Sequence, residues 1–467
     1  MKENTQIQNN KYSDLTFEEL KTMAEQGCVD AQYNLAKYYK AKNDWAKAAV
    51  LFAKAAEQGD KYAQFYLGVC YELGKGVEQN FVKAADWYTK AAEQGMPEAQ
   101  FNIAMFYRFG NGVDKDHAKS AAWLIKCAEQ GEAKAQYNLA ECYKDGKGIK
   151  QDYEKAAEWY QKAAEQGIDE AQFSIALCYE YGCGVKMSLA KAVEWYQKAA
   201  EQGLDKAQYN LGVCYEDGDG VKKNPAKAVV WYTKAAEQGY AEAQYNLAIC
   251  YQDGIGVEPD LSKAIKWYAE AAKRGLAEAQ CNLASYYQEG KGVRKNQKKA
   301  FRLFTKAAEQ NNDLAQFNLA LCYQYGRGVK IAPVEAVEWY TKAAVQGFAM
   351  AQNNLAECYK EGFGVKKDII EAKKWYTKAV EQGDPEAQKG LDDLILNPAN
   401  MEVLENHRKK LEEYKKKAGD YFKELYPDTT NEGVEKWISA TSDECWIIYM
   451  QDFEPKIAVQ GMLAGLI

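Results

Sequence analysis

The sequence predicts an all-α protein made by repeating one helix pair. Three observations predict it: a phrase that returns at a fixed interval, apolar residues at helical spacing within each interval, and glycine wherever a helix has to stop. The phrase Ala-Glu-Gln-Gly ends at Gly27, Gly59, Gly95, Gly131, Gly167, Gly203 and Gly239, and continues in altered form at Gly275, Asn311, Gly347 and Gly383. From Gly59 to Gly383 are nine steps of 36 residues. A second phrase, G-x-G-[VI], recurs at the same interval from Gly74 to Gly362. A period of this length marks stacked repeats. The first step, Gly27 to Gly59, is only 32 residues, because Tyr39 to Ala48 is four residues shorter than Tyr71 to Ala84 and lacks the G-x-G phrase.

Each interval reads as two helices. Ala99, Ile103, Ala104 and Tyr107 share one helical face, and the Gly110-Asn-Gly112-Val113 turn ends that helix. Ala84, Ala85, Trp87, Tyr88, Ala91 and Ala92 form the stripe of a second helix, stopped by Gly95. Asn311 replaces the stopping glycine once, and asparagine tolerates positive φ best among the other residues. Small alanines let helices approach, and the rings of Trp87 and Tyr88 are expected to fill the space between pairs. One pair cannot bury both faces alone, and stacking about ten of them gives a continuous core.

The 467 residues are 47% hydrophobic and 13% aromatic, which supplies a large core and argues against disorder. Sixty Lys and Arg stand against 67 Asp and Glu, and the net charge of −7 excludes a strongly basic nucleic-acid binder. Two histidines, His117 and His407, leave no multi-histidine metal site and speak against a His-based triad. Residues 1–12 are polar, with no apolar signal core, and no run of 18 apolar residues is present to span a membrane. The expected location is the cytoplasm, and no cofactor is expected.

The composite A-x-A-Q-x-N-L-[AG]-x-x-Y-x-x-G-x-G-V, followed by K-A-x-x-W-Y-x-K-A-A-E-Q-G, resembles the Sel-one-like repeat (SLR) family over roughly residues 13–395. This is a 36-residue relative of the tetratricopeptide repeat. The resemblance implies a right-handed α/α superhelical solenoid that serves as a scaffold or adaptor for protein complexes. The expected organisation is a flexible N-terminus at 1–12 and a half-repeat helix at 13–27. A solenoid of ten repeats plus a terminal helix follows at 28–395, and then a C-terminal amphipathic helix with a unique cap or partner module at 396–467.

Twelve cysteines invite a chemical reading. Seven of them, Cys70, Cys142, Cys178, Cys214, Cys250, Cys322 and Cys358, share one register, which Phe106 and Tyr286 occupy elsewhere. A slot shared by Cys, Phe and Tyr is an apolar packing slot. Some cysteine-rich secreted SLR proteins staple each helix pair with two cysteines and are linked to β-lactam binding. Here the second cysteine is missing in nearly every repeat, which puts both properties in doubt. Cys28, Cys127, Cys183, Cys281 and Cys445 fall outside the register, and Cys183, between two glycines, is expected to be exposed. The G-x-G turns follow helices and occur nine times, so they are turn chemistry and not phosphate cradles.

Partner-binding candidates come from two patterns. The first is a ladder of Asn102, Asn138, Asn210, Asn246, Asn282, Asn318 and Asn354 on the first helices. The resemblance places these helices on a concave groove in which such an amide holds a ligand's backbone. The alternative is a bond to the adjacent helix. The second pattern is variation between repeats, since identical positions encode architecture and varied ones are free to encode a partner. The last residue of the first helix runs through Phe109, Tyr181 and Tyr325 among acids such as Asp217 and Asp253. Aromatic anchors among acids suit a partner with a basic or polar segment. Ile255, Phe348 and Phe363 are candidates for a second contact site.

After about residue 396 the period is lost. Residues 400–426 form an amphipathic helix, with Leu404, Leu411, Tyr414, Ala418, Tyr421 and Leu425 near one face. A break follows at Pro427–Gly433, then the segment Val434–Ser439, the apolar stretch Trp446–Met450 and the end Gly461–Ile467, which is expected to dock or to continue in a longer chain. The expected role is a cap, with one short strand or helix folding back, or a partner module. The function expected of the whole is a non-enzymatic adaptor binding a protein through the concave face and the C-terminal region, as a regulator or immunity subunit of an effector. The alternatives are a β-lactam-directed SLR enzyme or a catalytic C-terminal module, for which His407 and Cys445 are the candidate pair.

Overall fold

The computed structural model describes residues 16–427, 430–441, 445, 446, 450 and 454–463. Residues 1–12, most of the Trp446–Met450 stretch and the last four residues lie outside that set. Among the described residues there are 25 helices and no strand. The chain divides into two compact units, residues 1–259 and 260–467. In the first unit, α1 (Phe17–Glu25) precedes α2 (Val29–Ala41) and α3 (Trp45–Glu57), and pairs follow at the repeat interval as far as α14 (Ala241–Asp253). The second unit runs from α15 (Leu261–Lys273) through the same pairs to α22 (Pro385–Leu396).

The start signals are local. Asn80, Asp116, Asp152, Ser188 and Asn224 cap the second helices, each side chain accepting a bond from the backbone N–H three residues on. The one uncapped second helix, Pro333–Val345, begins with a proline, whose missing N–H needs no partner. The stop signals are residues with positive φ. Asn311 takes φ 69°, the conformation its glycine counterparts adopt.

The G-x-G turn does more than end a helix. The second glycine of each turn lies against the first turn of the second helix one repeat earlier. A Cβ on Gly148 would sit 1.9 Å from the His117 carbonyl oxygen, and one on Gly184 would sit 1.9 Å from that of Tyr153. The following valine covers the same junction: Val77 packs on the cluster of Ala48, Phe52 and Leu67, and Val113 on that of Ala84, Tyr88 and Ile103. In the first repeat the missing residues leave only Lys42-Asn43-Asp44 between α2 and α3, with Asn43 at φ 61°. A cleft of about 430 Å³ lined by Ala24, Leu35, Tyr39, Val50 and Leu51 opens between α1, α2 and α3.

The core is a column of alanines and rings. Ala84, Ala85, Ala91, Ala92 and Tyr88 are buried, as are most of their counterparts in later repeats. Trp87 is half-buried: it packs on the cluster of Leu67 and, from the preceding pair, Phe52, as expected, and carries the Lys90 ammonium 3.9 Å from its ring centroid. The same cation–π pair recurs at Trp159 with Lys162, 4.0 Å, and at Trp231 with Lys234, 3.8 Å. Tyrosine and tryptophan therefore both pack between pairs, and lysine covers the outer side of the tryptophan ring.

In the second unit, Asn397 ends α22 and caps α23 (Pro398–Leu425), a helix twice the usual length. Its start packs through Leu404 on the last repeat cluster around Tyr376, Ala379 and Leu394. Its later turns hold α24 (Asn431–Ala440) and α25 (Pro455–Leu463) around Leu411, Tyr414, Ala418, Trp446, Ala458 and Val459. Trp446 is buried, donates its indole N–H to Ile438 O at 3.1 Å and meets Trp437 edge-on. Trp437 in turn stacks on Phe422 at 4.4 Å. Where described, the region is a small helical bundle with its own core, and it has no strand.

Candidate partner-binding face

In each unit the first helices carry the expected site residues, some engaged in internal bonds and some exposed. The asparagine ladder is engaged. Asn210 and Asn354 donate to the hydroxyls of Tyr196 and Tyr340 at 3.1 and 3.2 Å, and Asn102 and Asn246 bond those of Tyr88 and Tyr232. Asn138 and Asn318 donate instead to Lys134 O and Leu314 O in their own helices, both at 2.8 Å, and Asn138 also accepts from Arg108 at 2.7 Å. Asn282 keeps the register, half-buried.

The buried tyrosines donate their own hydroxyls to a residue on the preceding helix. Tyr232 donates to Glu216 at 2.5 Å and Tyr340 to Gln324 at 2.5 Å, while Tyr88 and Tyr196 donate to Glu72 and Glu180. Tyr160 and Tyr376 use a carboxylate one turn earlier, Glu141 and Glu357, because Lys144 and Lys360 occupy the usual acceptor position and pair with those carboxylates. Where the buried ring position holds Phe52, Leu124 or Phe304, the acceptor position holds Lys40, Arg108 or Gln288. No carboxylate stands opposite a ring position that lacks the hydroxyl, in keeping with the cost of burying a polar group without its partner. Burial first, and then the neighbouring carboxylate, raises the pKa of Tyr88, Tyr160, Tyr196 and Tyr376 above the usual phenol value.

The varied positions are exposed. Phe109, Tyr181 and Tyr325 are 64, 68 and 56% exposed, and Asp217 and Asp253 are exposed. Phe109, Tyr181, Asp217 and Asp253 belong to the first unit. Tyr325 belongs to the second, with the Arg327 guanidinium 5.0 Å from its ring. The expected second contact site is packed instead: Phe348 lies 5.3 Å from Phe317, and Phe363 joins the cluster around Cys358.

Sequence reasoning missed a glutamine relay. The buried Gln208 of A-Q donates to Ala200 O at 3.1 Å and accepts at 2.8 Å from Gln238 of the next A-E-Q phrase. Gln64 and Gln94, Gln136 and Gln166, and Gln316 and Gln346 repeat the arrangement. Lys273-Arg274 breaks the A-E-Q phrase, and Gln244 is the buried glutamine of its register whose Oε1 lacks a partner among the described residues. The signal was present as two recurrent glutamines 30 residues apart.

The cysteine register is apolar packing. Cys70, Cys250, Cys322 and Cys358 are buried, and burial pushes the Cys250 thiol up to about 12. Cys183 is exposed. Thiol titration with a disulfide reagent near neutral pH is expected to label Cys183 at least tenfold faster than Cys250 or Cys281, and unfolding in urea should erase the difference. Equal rates in the folded protein would contradict this packing. His407 has its pKa lowered by burial and stands on α23 facing Asp368, Lys373 and Lys410. Among the described residues no three metal-ligating side chains converge, and no helix is long and apolar enough to cross a membrane.

Repeated helix pairs latched by glycine turns, with a constant interior and a varied surface, define the chain as an α/α repeat solenoid of the interaction-scaffold class. Matches to the Sel1 repeat cover residues 29–60, 61–96, 97–132, 133–168, 169–204, 205–240, 241–276, 277–312, 313–348 and 349–384, and the chain belongs to the Sel1 repeat family. It is similar to c5321, a protective antigen of uropathogenic Escherichia coli displaying an SLR fold, at 30% identity with a TM-score of 0.59, covering 97% of both chains. It is also similar to a Sel1 repeat protein from Oxalobacter formigenes at 33% identity and a TM-score of 0.55, over 66% of this chain and 88% of that one. No curated protein matches the chain.

Proposed function

We propose that this protein is a non-enzymatic scaffold that captures a partner protein through the first-helix face and the C-terminal bundle, holding an assembly together or restraining an effector. The observation that carries this reading is a contrast along the first helices of each unit. The amides and hydroxyls that repeat are engaged in internal bonds, whereas the residues that vary, Phe109, Tyr181, Tyr325, Asp217 and Asp253, stand in solvent. Large exposed rings cost solubility and contribute nothing to the fold, and rings of this kind are what interfaces use as anchors. The surrounding acids favour a basic or polar partner segment. The cytoplasm is the proposed location.

Affinity purification with the full chain identifies the partner. Tyr181→Ala and Tyr325→Ala, singly and together, and charge reversal of Asp217 with Asp253, are then expected to weaken capture at least tenfold. The melting temperature should stay within about 2 °C, because exposed side chains contribute little to stability. Undiminished capture by all of these variants would remove the first-helix face from the proposal.

A further inference from the structure

Cys178 and Cys183 stand at the two ends of the turn that closes α10 (Asp169–Tyr181). Gly182 takes φ 69°, and the Cys183 N–H donates to the Cys178 carbonyl at 3.0 Å. In a turn of this type the residues at these two positions bring their side chains together. The bond sets a bound on their separation: with the ordinary backbone lengths on either side of it, the α-carbons lie within about 7 Å, the span a disulfide bridges. The same positions elsewhere confirm the contact, since Phe363 packs in one cluster with Cys358, and its N–H bonds the Cys358 carbonyl at 2.9 Å. Other turns pair Cys70 with Lys75 and Cys142 with Lys147, and this turn alone carries two thiols. Cys183 is exposed, and Cys178 is partly exposed where Cys70, Cys250, Cys322 and Cys358 are buried.

We propose that Cys178 and Cys183 are a redox modification site, oxidised by hydrogen peroxide to a disulfide that closes the end of α10. The exposed Cys183 thiolate attacks a peroxide oxygen, the O–O bond breaks, and hydroxide leaves to form water, giving the sulfenic acid. The Cys178 sulfur attacks the Cys183 sulfur and the S–O bond breaks. The departing hydroxide takes the Cys178 proton and leaves as a second water. Two electrons pass from the two sulfurs to the peroxide. The ring so formed encloses Tyr179, Glu180, Tyr181 and Gly182. It would fix the backbone that carries the exposed Tyr181 ring and the Glu180 acceptor of Tyr196. The chemistry stands whether or not Tyr181 binds a partner.

The test uses the full chain. Folded protein is treated with graded peroxide, quenched in acid, alkylated with a maleimide in denaturant, digested with trypsin and weighed. Both cysteines fall in one tryptic peptide, residues 163–186. Over the peroxide range in which Cys28 and Cys445 remain alkylated, the bridged peptide is expected to become the main form, lacking two hydrogens and both maleimides, and dithiothreitol should restore both adducts. Cys178→Ser should instead accumulate the Cys183 sulfenic acid, and Cys183→Ser should leave Cys178 alkylated. Overturning results are both thiols alkylated throughout, Cys183 oxidised to sulfinate in the wild type without a bridge, or a bridge between Cys183 and a second chain.

Discussion

Gly148→Ala is expected to lower the unfolding free energy by about 3–5 kcal/mol, read as a fall in the urea midpoint. Two costs combine. Gly148 holds φ 76°, where an L side chain is strained, and its new Cβ would lie 1.9 Å from His117 O and 2.2 Å from His117 C. Those are main-chain atoms of a helix start and cannot swing aside. Gly167→Ala isolates the first cost: φ is 93° there, but nothing lies within 4 Å of the new Cβ. That variant should lose only about 1–2 kcal/mol. Equal losses would mean that the turn merely reverses the chain and does not seat on its neighbour.

Glu216→Ala should cost about 1–3 kcal/mol, because it removes the acceptor of a hydroxyl on Tyr232, a residue with no exposed surface. Adding Tyr232→Phe should recover most of that loss, so that the double variant is more stable than Glu216→Ala alone. Phe52 and Leu124 show that the ring position accepts side chains without a hydroxyl. A double variant no better than the sum of its parts would dissolve the pair. The same chemistry sets the behaviour in base. Burial raises the pKa of Tyr232 and its counterparts above their unfolded values, so the stability they contribute is whole below about pH 10 and is lost as the pH rises through the folded values.

The fold was legible because its signals are local and repeated. Gly95 or Asn311 after a helix, and Ala84 with Tyr88 at helical spacing, each act within a few residues, and repetition separates them from chance. The asparagines show where this kind of reading stops. Asn210 has the residue type of a ligand clamp, and only the position of Tyr196, fourteen residues earlier, shows where its amide is engaged. The glutamine relay was equally visible as letters, but Gln208 and Gln238 meet only once the pairs are stacked. Phe348 and Phe363 read as loop apolars because sequence distinguishes a loop from a helix, not a loop that packs from one that does not. The bundle after residue 396 has a single copy of every element. Its helix at 398–425 was readable from amphipathic spacing, whereas the burial of Trp446 depends on partners far along the chain.

Because Gly148 rests on the start of the helix that begins at His117, that earlier helix is not latched until the later turn exists. On the ribosome this makes completion lag behind synthesis: each repeat waits for the next to emerge before its entrance is closed. The process ends only when a helix of a different kind, the long one starting at Pro398, takes the place of the repeat that never comes.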